Sequence, residues 1–249
     1  NIIDADGHVL EPPDLWETYM DPQFRDRAIR LRLNDDGKEY IELDGRPSQF
    51  FNIKALASLG SMGRPASEIV RRIKSETYVE SAPYGSMHAK ERVDLLNREG
   101  LRATLLYPSI GLVWECEIED PVLADAYARA YNRWIVDFCS DSKGRLVPIA
   151  HICLTTGVAA SAELERAVKA GCMGAFVAPF TITDKAHAHP DYDLFWVTAQ
   201  DLGVPVGIHP MAEHPRKRVY QRFNDIKWAD WYKIMLGAQG PQQAFYILF

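Results

Sequence analysis

The residues with the clearest chemical potential are one aspartate and two histidines that end apolar runs. Asp6 and His8 stand two residues apart in IDADGH at 3–8, and His209 ends VPVGIH at 204–209. Side chains two apart on a strand point to the same face. A carboxylate and imidazoles in an apolar setting are costly to bury unless they are satisfied, and a divalent cation satisfies both. The three residues therefore predict a metal site, against the alternative of a turn residue at Asp6 and hydrogen-bonded core histidines.

Three further residues are candidates near the same site. Glu11 follows His8 by three residues and is either a ligand, to this or a second ion, or a surface carboxylate beside prolines. His151, near the end of LVPIAHI at 146–152, either faces substrate or is a core histidine. His214 shares a loop with RKR at 216–218, which either holds a substrate carboxylate or is a solvated turn.

A second pair of histidines has metal-like spacing in a polar loop. His187 and His189 are two apart between an apolar run and a helical pattern. Solvated histidines are common in such loops, so we favour a structural interpretation for this pair.

The elements that must position these residues alternate between short apolar runs and helical patterns, as in parallel α/β folds. Most of the runs are nearly all apolar, which is typical of strands covered on both faces. The predicted strands are Ile2 to His8, Ala103 to Ser109, Leu146 to Ile152, Gly174 to Ala178 and Val204 to His209.

Capping chemistry predicts the helix boundaries. Asp120 and Pro121 supply an N-cap and a first-turn proline to a helix that continues to about Phe138. Glycine follows each of three other predicted helices, at the position where a left-handed residue ends a helix. Those helices are Lys90 to Glu99, Val158 to Ala170 and Asp191 to Leu202.

The region 27–89 interrupts this alternation. Arg30 to Leu33 and Glu39 to Leu43 flank NDDG at 34–37, which predicts a small β-hairpin. We interpret 27–89 as an insertion after the first strand, which is either a lid over the site or a surface excursion.

Composition narrows the class of protein. The 249 residues are 47% hydrophobic and 25% charged, with 28 basic and 34 acidic side chains spread without long like-charge runs. This argues against nucleic acid or a membrane as partner, so we expect a cytoplasmic protein with a small-molecule substrate. Its four cysteines lack a CxxC pair and are expected to be buried thiols. A homo-oligomer is compatible with the sequence.

The motifs around the predicted ligands allow a resemblance to be stated. IDADGHVLEP at 3–12 and GIHP at 207–210 resemble the amidohydrolase-2 branch of the amidohydrolase superfamily. That branch includes aminocarboxymuconate-semialdehyde and γ-resorcylate-type decarboxylases. Many members carry His-x-His on strand 1, where this chain has Asp6 and His8. Because decarboxylase members carry glutamate at the first position, the resemblance still implies a metal, shifted from zinc toward manganese or iron.

The resemblance also implies the fold and the reaction class. It implies a TIM (β/α)₈ barrel in α/β architecture, of which this chain, taken as one domain over 1–249, supplies the first five units. About three more units are expected beyond residue 249, with a further aspartate ligand and the catalytic acid or base, so no catalytic residue is assigned. The implied enzyme is a metal-dependent hydrolase or decarboxylase acting on a small carboxylate or aromatic compound.

Two competing interpretations remain at the level of sequence. One is a non-catalytic binding protein on a degenerate barrel, which metal analysis would distinguish. The other is an open doubly wound sheet, although no glycine-rich phosphate loop follows the first strand.

Overall fold

The computed structural model describes residues 2–49, 65, 67, 77–212 and 239–248. Its strands are β1 (Ile2–His8), β2 (Arg30–Leu33), β3 (Glu39–Leu43), β4 (Arg46–Pro47), β5 (Leu101–Tyr107), β6 (Leu146–His151), β7 (Gly174–Val177) and β8 (Val206–Ile208). Its α-helices are α1 (Leu15–Tyr19), α2 (Ala89–Glu99), α3 (Pro121–Cys139), α4 (Gly157–Ala170), α5 (Asp193–Leu202) and α6 (Gln239–Leu248).

The main sheet is parallel, with the strand order β1-β5-β6-β7-β8. Each connection therefore moves one strand further in the same direction, with a helix crossing between strands. This order has no reversal point, whereas a doubly wound sheet has one. The sheet curls into a half-barrel, which confirms the predicted partial TIM barrel and excludes the open doubly wound alternative.

The five predicted strands are all present, with ends that shift by a few residues. The largest difference is burial in β1, where Ile2 is 64% exposed and Ile3 51% exposed. Among the described residues β1 pairs only with β5, so it lies at the edge of the sheet. The expectation of cover on both faces is therefore wrong for the start of this strand.

The helix ends follow the predicted capping chemistry. The Asp120 carboxylate accepts hydrogen bonds from the backbone N–H groups of Val122 and Leu123, which caps α3. Gly100 and Gly203 end α2 and α5 with positive φ of 70° and 64°. Only glycine adopts this conformation without cost. The long helix α3 then buries an aromatic and aliphatic face against the sheet.

The predicted hairpin is present, and a third short strand extends it. β2, β3 and β4 form an antiparallel sheet with hairpin bounds as predicted. Ile41 and Leu43 from β3 are buried in the main core. Arg27 donates to Asp44 in this sheet and to Asp120 at the start of α3. The described part of the insertion is thus packed onto the half-barrel, while residues 50–64 lie outside the described residues.

The four cysteines are buried free thiols, as predicted. Among the described helices, none combines the length and apolar character needed to cross a membrane.

Candidate metal centre

The structure brings Asp6, His8 and His209 together. One donor atom from each lies within 4.8 Å of the others. Nε2 of His209 is 3.2 Å from Oδ1 of Asp6, and Nε2 of His8 is 3.8 Å from the same oxygen. These residues come from β1 and from the end of β8, the two edge strands of the sheet. In a flat sheet those edges would lie about 19 Å apart, so the curl of the half-barrel creates the cluster.

Backbone carbonyls fix the orientation of both imidazoles. Nδ1 of His8 lies 2.7 Å from the carbonyl oxygen of Pro108, and Nδ1 of His209 lies 2.6 Å from that of Pro210. A carbonyl oxygen only accepts hydrogen bonds, so Nδ1 carries the proton in each ring. The Nε2 lone pairs then face the Asp6 carboxylate. Metal-ligating histidines are held in this way by their outer hydrogen bonds.

This arrangement fits a cation better than it fits the three side chains alone. Two lone pairs and a carboxylate oxygen are all acceptors, and acceptors facing one another repel. Burial lowers the pKa of His8, the nearby His209 and Arg92 lower it too, and the Pro108 carbonyl and Asp6 raise it. His8 is therefore disposed to be neutral, which leaves the acceptors uncompensated. Two imidazoles and one carboxylate are a ligand set suited to zinc, manganese or iron.

A bulge in β1 sets the position of Asp6. The pairing of β1 with β5 shifts register between Asp4 and Gly7. Asp4 stabilises the bulge, since its Oδ1 accepts from the backbone N–H of Asp6 at 3.1 Å and its Oδ2 accepts from the Thr104 hydroxyl at 2.8 Å. A Cβ on Gly7 would lie 2.1 Å from that hydroxyl oxygen, so this position requires glycine. The Asp6 side chain is 74% exposed at this edge of the half-barrel.

Two aromatic rings and one arginine complete the surroundings. The Tyr107 ring centroid is 4.9 Å from that of His209 and 6.1 Å from that of His8. Phe176 packs edge-on against both Tyr107 and His209. Arg92 from α2 donates to the backbone carbonyl of His8. The candidate centre is therefore open on the Asp6 side and lined by aromatic rings on the other.

Glu11, the fourth predicted ligand, is not brought into this cluster. Its buried carboxylate accepts hydrogen bonds from the backbone N–H groups of Ser109, Ile110 and Gly111 at 2.8–3.2 Å. Burial raises the pKa of Glu11 to about 7, although these N–H groups lower it. In the structure Glu11 holds the loop that follows β5.

The other predicted residues lie away from the cluster or outside the described chain. His151 is fully buried, and its Nε2 lies 2.7 Å from Oε2 of Glu115. His214 and the neighbouring basic loop lie outside the described residues. Nε2 of His187 bonds the carbonyl of Ala178, and Nδ1 of His189 accepts from a backbone N–H, as the structural interpretation expects.

Sequence reasoning missed Asp4, Thr104, Tyr107 and Phe176. Asp4 and Asp6 alternate on one strand, which was a usable signal for a positioning carboxylate. Tyr107 is the last residue of β5 and Phe176 is the next to last of β7, so both lie at the same strand ends as the predicted ligands. Their contacts with the imidazoles depend on strand register, which the sequence does not give.

Comparisons with known proteins agree with the fold. The sequence profile of the amidohydrolase family matches residues 108–230. An amidohydrolase from Mycobacterium avium subsp. paratuberculosis K-10 superposes with a TM-score of 0.75 at 16% identity, over 99% of this chain and 67% of that one.

Two decarboxylase structures are also similar. The 2,6-dihydroxybenzoate decarboxylase from Rhizobium is 26% identical with a TM-score of 0.53, over 63% of this chain and 49% of that one. The dihydroxybenzoic acid decarboxylase from Polaromonas sp. JS666, with bound manganese and 2-nitroresorcinol, is 21% identical with a TM-score of 0.57, over 80% of this chain and 57% of that one. This chain thus spans about half the length of these decarboxylases. The family match, together with the half-barrel and its Asp-His-His cluster, makes this chain similar to the amidohydrolase family, in agreement with the resemblance of its motifs to the amidohydrolase-2 branch.

Proposed function

We propose that this chain carries the metal-binding half of an enzyme that decarboxylates a small aromatic carboxylate, with Asp6, His8 and His209 as protein ligands. The observation that carries the proposal is the convergence of three acceptors, with both Nδ1 atoms occupied by carbonyls, on one point at the strand ends. We propose manganese as the resident ion, with iron and zinc as alternatives. Supporting this, the Polaromonas decarboxylase has bound manganese.

In this proposal some residues of the chain bind the metal, and others orient the ligands and line the substrate site. When bound, a divalent cation supplies a Lewis acid that polarises a substrate oxygen. The carbonyls of Pro108 and Pro210 hold the two imidazoles in the ligating tautomer. The Tyr107 ring, half-buried beside His209, offers an aromatic surface for a planar substrate.

Hydrolysis of an amide or ester is the second candidate. It is favoured by the structural likeness to the mycobacterial amidohydrolase, whose TM-score of 0.75 exceeds those of the two decarboxylases. The same ligands serve both reactions, so the protein ligands do not separate them. Substrate tests separate them instead.

Metal content and turnover together test the proposal. We expect the purified protein to hold stoichiometric manganese, iron or zinc and to release carbon dioxide from a hydroxylated benzoate rather than cleave aryl amides or esters. His209→Ala is expected to lose this metal and the activity. His189→Ala is the matched control, because its imidazole is exposed and lies outside the cluster.

Two results would contradict the proposal in different ways. Cleavage of amides or esters without decarboxylation would favour the hydrolase. Failure to bind any divalent metal, with no change in ligand binding on Asp6→Ala or His209→Ala, would favour a binding protein on a degenerate barrel.

A further inference from the structure

A second cluster of metal-competent side chains lies inside the half-barrel. Glu115, His151 and Cys153 each place a donor atom within 4.8 Å of the others. Glu115 comes from the segment between β5 and α3, His151 ends β6, and Cys153 follows two residues later. The three residues therefore join two consecutive β/α units of the fold.

This cluster differs from the first in burial and in unsatisfied atoms. The side chains of Glu115 and His151 are 1% and 0% exposed, and Cys153 is 2% exposed. Oε1 of Glu115 and Nδ1 of His151 are buried and have no hydrogen-bond partner. Buried polar atoms are nearly always paired, because an unpaired one costs about 1–3 kcal/mol. Each of these two atoms thus has a lone pair that no group of the protein uses, and that a metal ion could accept.

The charge around Cys153 also calls for a cation. Three carboxylates, those of Glu115, Asp125 and Glu163, lie near enough to interact electrostatically with this thiol. Arg166 pairs with Glu163. Within the described ranges, neither Glu115 nor Asp125 forms an ion pair with lysine or arginine.

Asp125 shows the same excess of negative charge. Burial raises the pKa of its carboxyl to about 6, and the nearby Glu163 and Glu115 raise it further against the opposing effects of Thr155 and Arg129. Arg129 itself pairs with Asp21. The region thus holds more buried acid groups than basic partners.

We infer that Glu115, His151 and Cys153 form a second, structural metal site suited to Zn²⁺. Thiolate, imidazole and carboxylate are the three protein ligand types that zinc accepts, at distances of about 2.0–2.3 Å. The unpartnered second oxygen of Glu115 is available as a fourth donor. Binding would release the Cys153 thiol proton to solvent, while neutral His151 would keep its one proton on the ring nitrogen that does not ligate.

The inferred site is separate from the candidate centre at Asp6, His8 and His209. The Phe176 ring stacks on His151 at 4.5 Å between centroids and packs edge-on against His209 at 5.7 Å. Trp114 contacts the His151 ring as well, at 5.1 Å. Because aromatic rings and burial shield the cluster from solvent, its metal would tie the 108–120 loop to β6 rather than meet substrate. The inference does not rest on the proposed function.

The competing interpretation is a metal-free cluster that shares protons. The 2.7 Å separation of Nε2 of His151 and Oε2 of Glu115 is that of a hydrogen bond. In that case the Cys153 thiol donates to a carbonyl or to Glu115 and never becomes a thiolate. A spectroscopic signature of metal–thiolate bonding therefore distinguishes the two interpretations.

Cobalt substitution supplies that signature. The protein is expressed in cobalt-supplemented minimal medium, so that Co²⁺ is present as the buried site folds. We expect a thiolate-to-cobalt charge-transfer band in the near ultraviolet and one cobalt per chain beyond that bound by the first site. Asp6, His8 and His209 include no thiol, so the first cluster does not produce this band.

Variants assign the band to its sulfur. Cys153→Ser is expected to abolish it, whereas Cys172→Ser, which changes a buried thiol outside the cluster, and His209→Ala keep it. If Cys153→Ser does not fold, Cys116→Ser, Cys139→Ser and Cys172→Ser assign the sulfur by elimination, since the chain has four cysteines. Cobalt-grown wild type without the band, or a band that survives Cys153→Ser, overturns the inference.

Discussion

The two donor clusters use similar side chains in opposite environments. At the strand ends the Asp6 carboxylate is 74% exposed, whereas the Glu115 carboxylate in the interior is 1% exposed. The imidazoles of the first cluster are held by backbone carbonyls, but His151 of the second is held by Glu115 and covered by aromatic rings. Donor type alone therefore does not define a role. We propose that access to solvent separates the two roles, with the first cluster meeting substrate and the second stabilising the fold.

The largest difference in stability between variants of the two clusters is expected at their histidines. His151→Ala leaves the buried Glu115 carboxylate without its partner, so we expect the free energy of unfolding to fall by about 3–5 kcal/mol. His209→Ala should cost less, because Asp6, the carboxylate it faces, stays in water. Chemical denaturation measures both. His88→Ala serves as control, because the His88 side chain is exposed and makes no capping hydrogen bond at the start of α2, and it should change stability by less than about 0.5 kcal/mol. Equal losses for His151→Ala and His209→Ala would contradict the proposed difference between a buried and an exposed cluster.

Glu11 is a third buried carboxyl group to set beside those of the two clusters, and backbone N–H groups satisfy it. Near pH 5 the Glu11 carboxyl group is protonated, and both of its oxygens can still accept hydrogen bonds. Glu11→Gln replaces one oxygen with an NH2 group that only donates and would face backbone N–H groups, so we expect a loss of about 2–3 kcal/mol at this pH. In the native protein the Glu11 pKa of about 7 exceeds its usual 4.5, so the folded state binds more protons than the unfolded state between these values. Wild-type stability should therefore fall as pH rises from about 4.5 to about 7.

The glutamine variant lacks this contribution to the pH dependence. Its deficit against wild type should narrow over the same pH range, as denaturation at several pH values would show. Glu165→Gln, which changes an exposed carboxylate, is the matched control. A deficit that grows with pH would mean that the backbone N–H groups outweigh burial at Glu11.

Gly7 tests how closely the first cluster depends on β1. Gly7→Ala places a Cβ 2.1 Å from the Thr104 hydroxyl oxygen and 3.0 Å from the carbonyl oxygen of Leu105. We expect a loss of about 1–3 kcal/mol in stability and weaker metal binding at the first cluster. Gly207→Ala is the control, since its Cβ would approach only the carbonyl oxygen of Ala175, at 3.9 Å. Unchanged metal affinity by titration calorimetry would show that the bulge does not set the position of Asp6.

The smallest expected effect is at Thr104. Thr104→Val keeps the shape but removes the hydroxyl that donates to Asp4. We expect about 1 kcal/mol of lost stability and up to about a 10-fold loss in metal affinity at the first cluster. The cobalt–thiolate band of the second cluster should not change. Loss of that band would show that the two clusters are coupled through the sheet.

Local rules account for most of what the sequence predicted about the fold. The hairpin bounds at β2 and β3 follow from strand alternation around the NDDG turn, and Asp120 and Pro121 start α3 by capping chemistry. Burial of β1 did not follow, because the exposure of Ile2 and Ile3 depends on which strand lies beside them. Sequence periodicity reports the strand but not its neighbours.

The candidate sites divide along the same line. The convergence of Asp6, His8 and His209 was predictable because they lie at or near the ends of strands, and parallel strands present their ends together. Glu115 was not, since it lies in a loop without periodic pattern and meets His151 only through tertiary packing. Glu11 was visible as a candidate, but its bonds to residues 109–111 depend on a loop about 100 positions away.

Phe176 separates the proton-binding groups of the two clusters. Its strand β7 lies between β6 and β8, and its ring contacts the imidazoles of both His151 and His209. A phenyl ring neither carries nor relays protons, so no proton hops between the two histidines through it. His209 faces the carboxylate of Asp6, whose side chain is 74% exposed, whereas His151 faces that of Glu115, whose side chain is 1% exposed. The phenyl ring therefore separates a solvent-exposed pair of proton-binding groups from a buried pair.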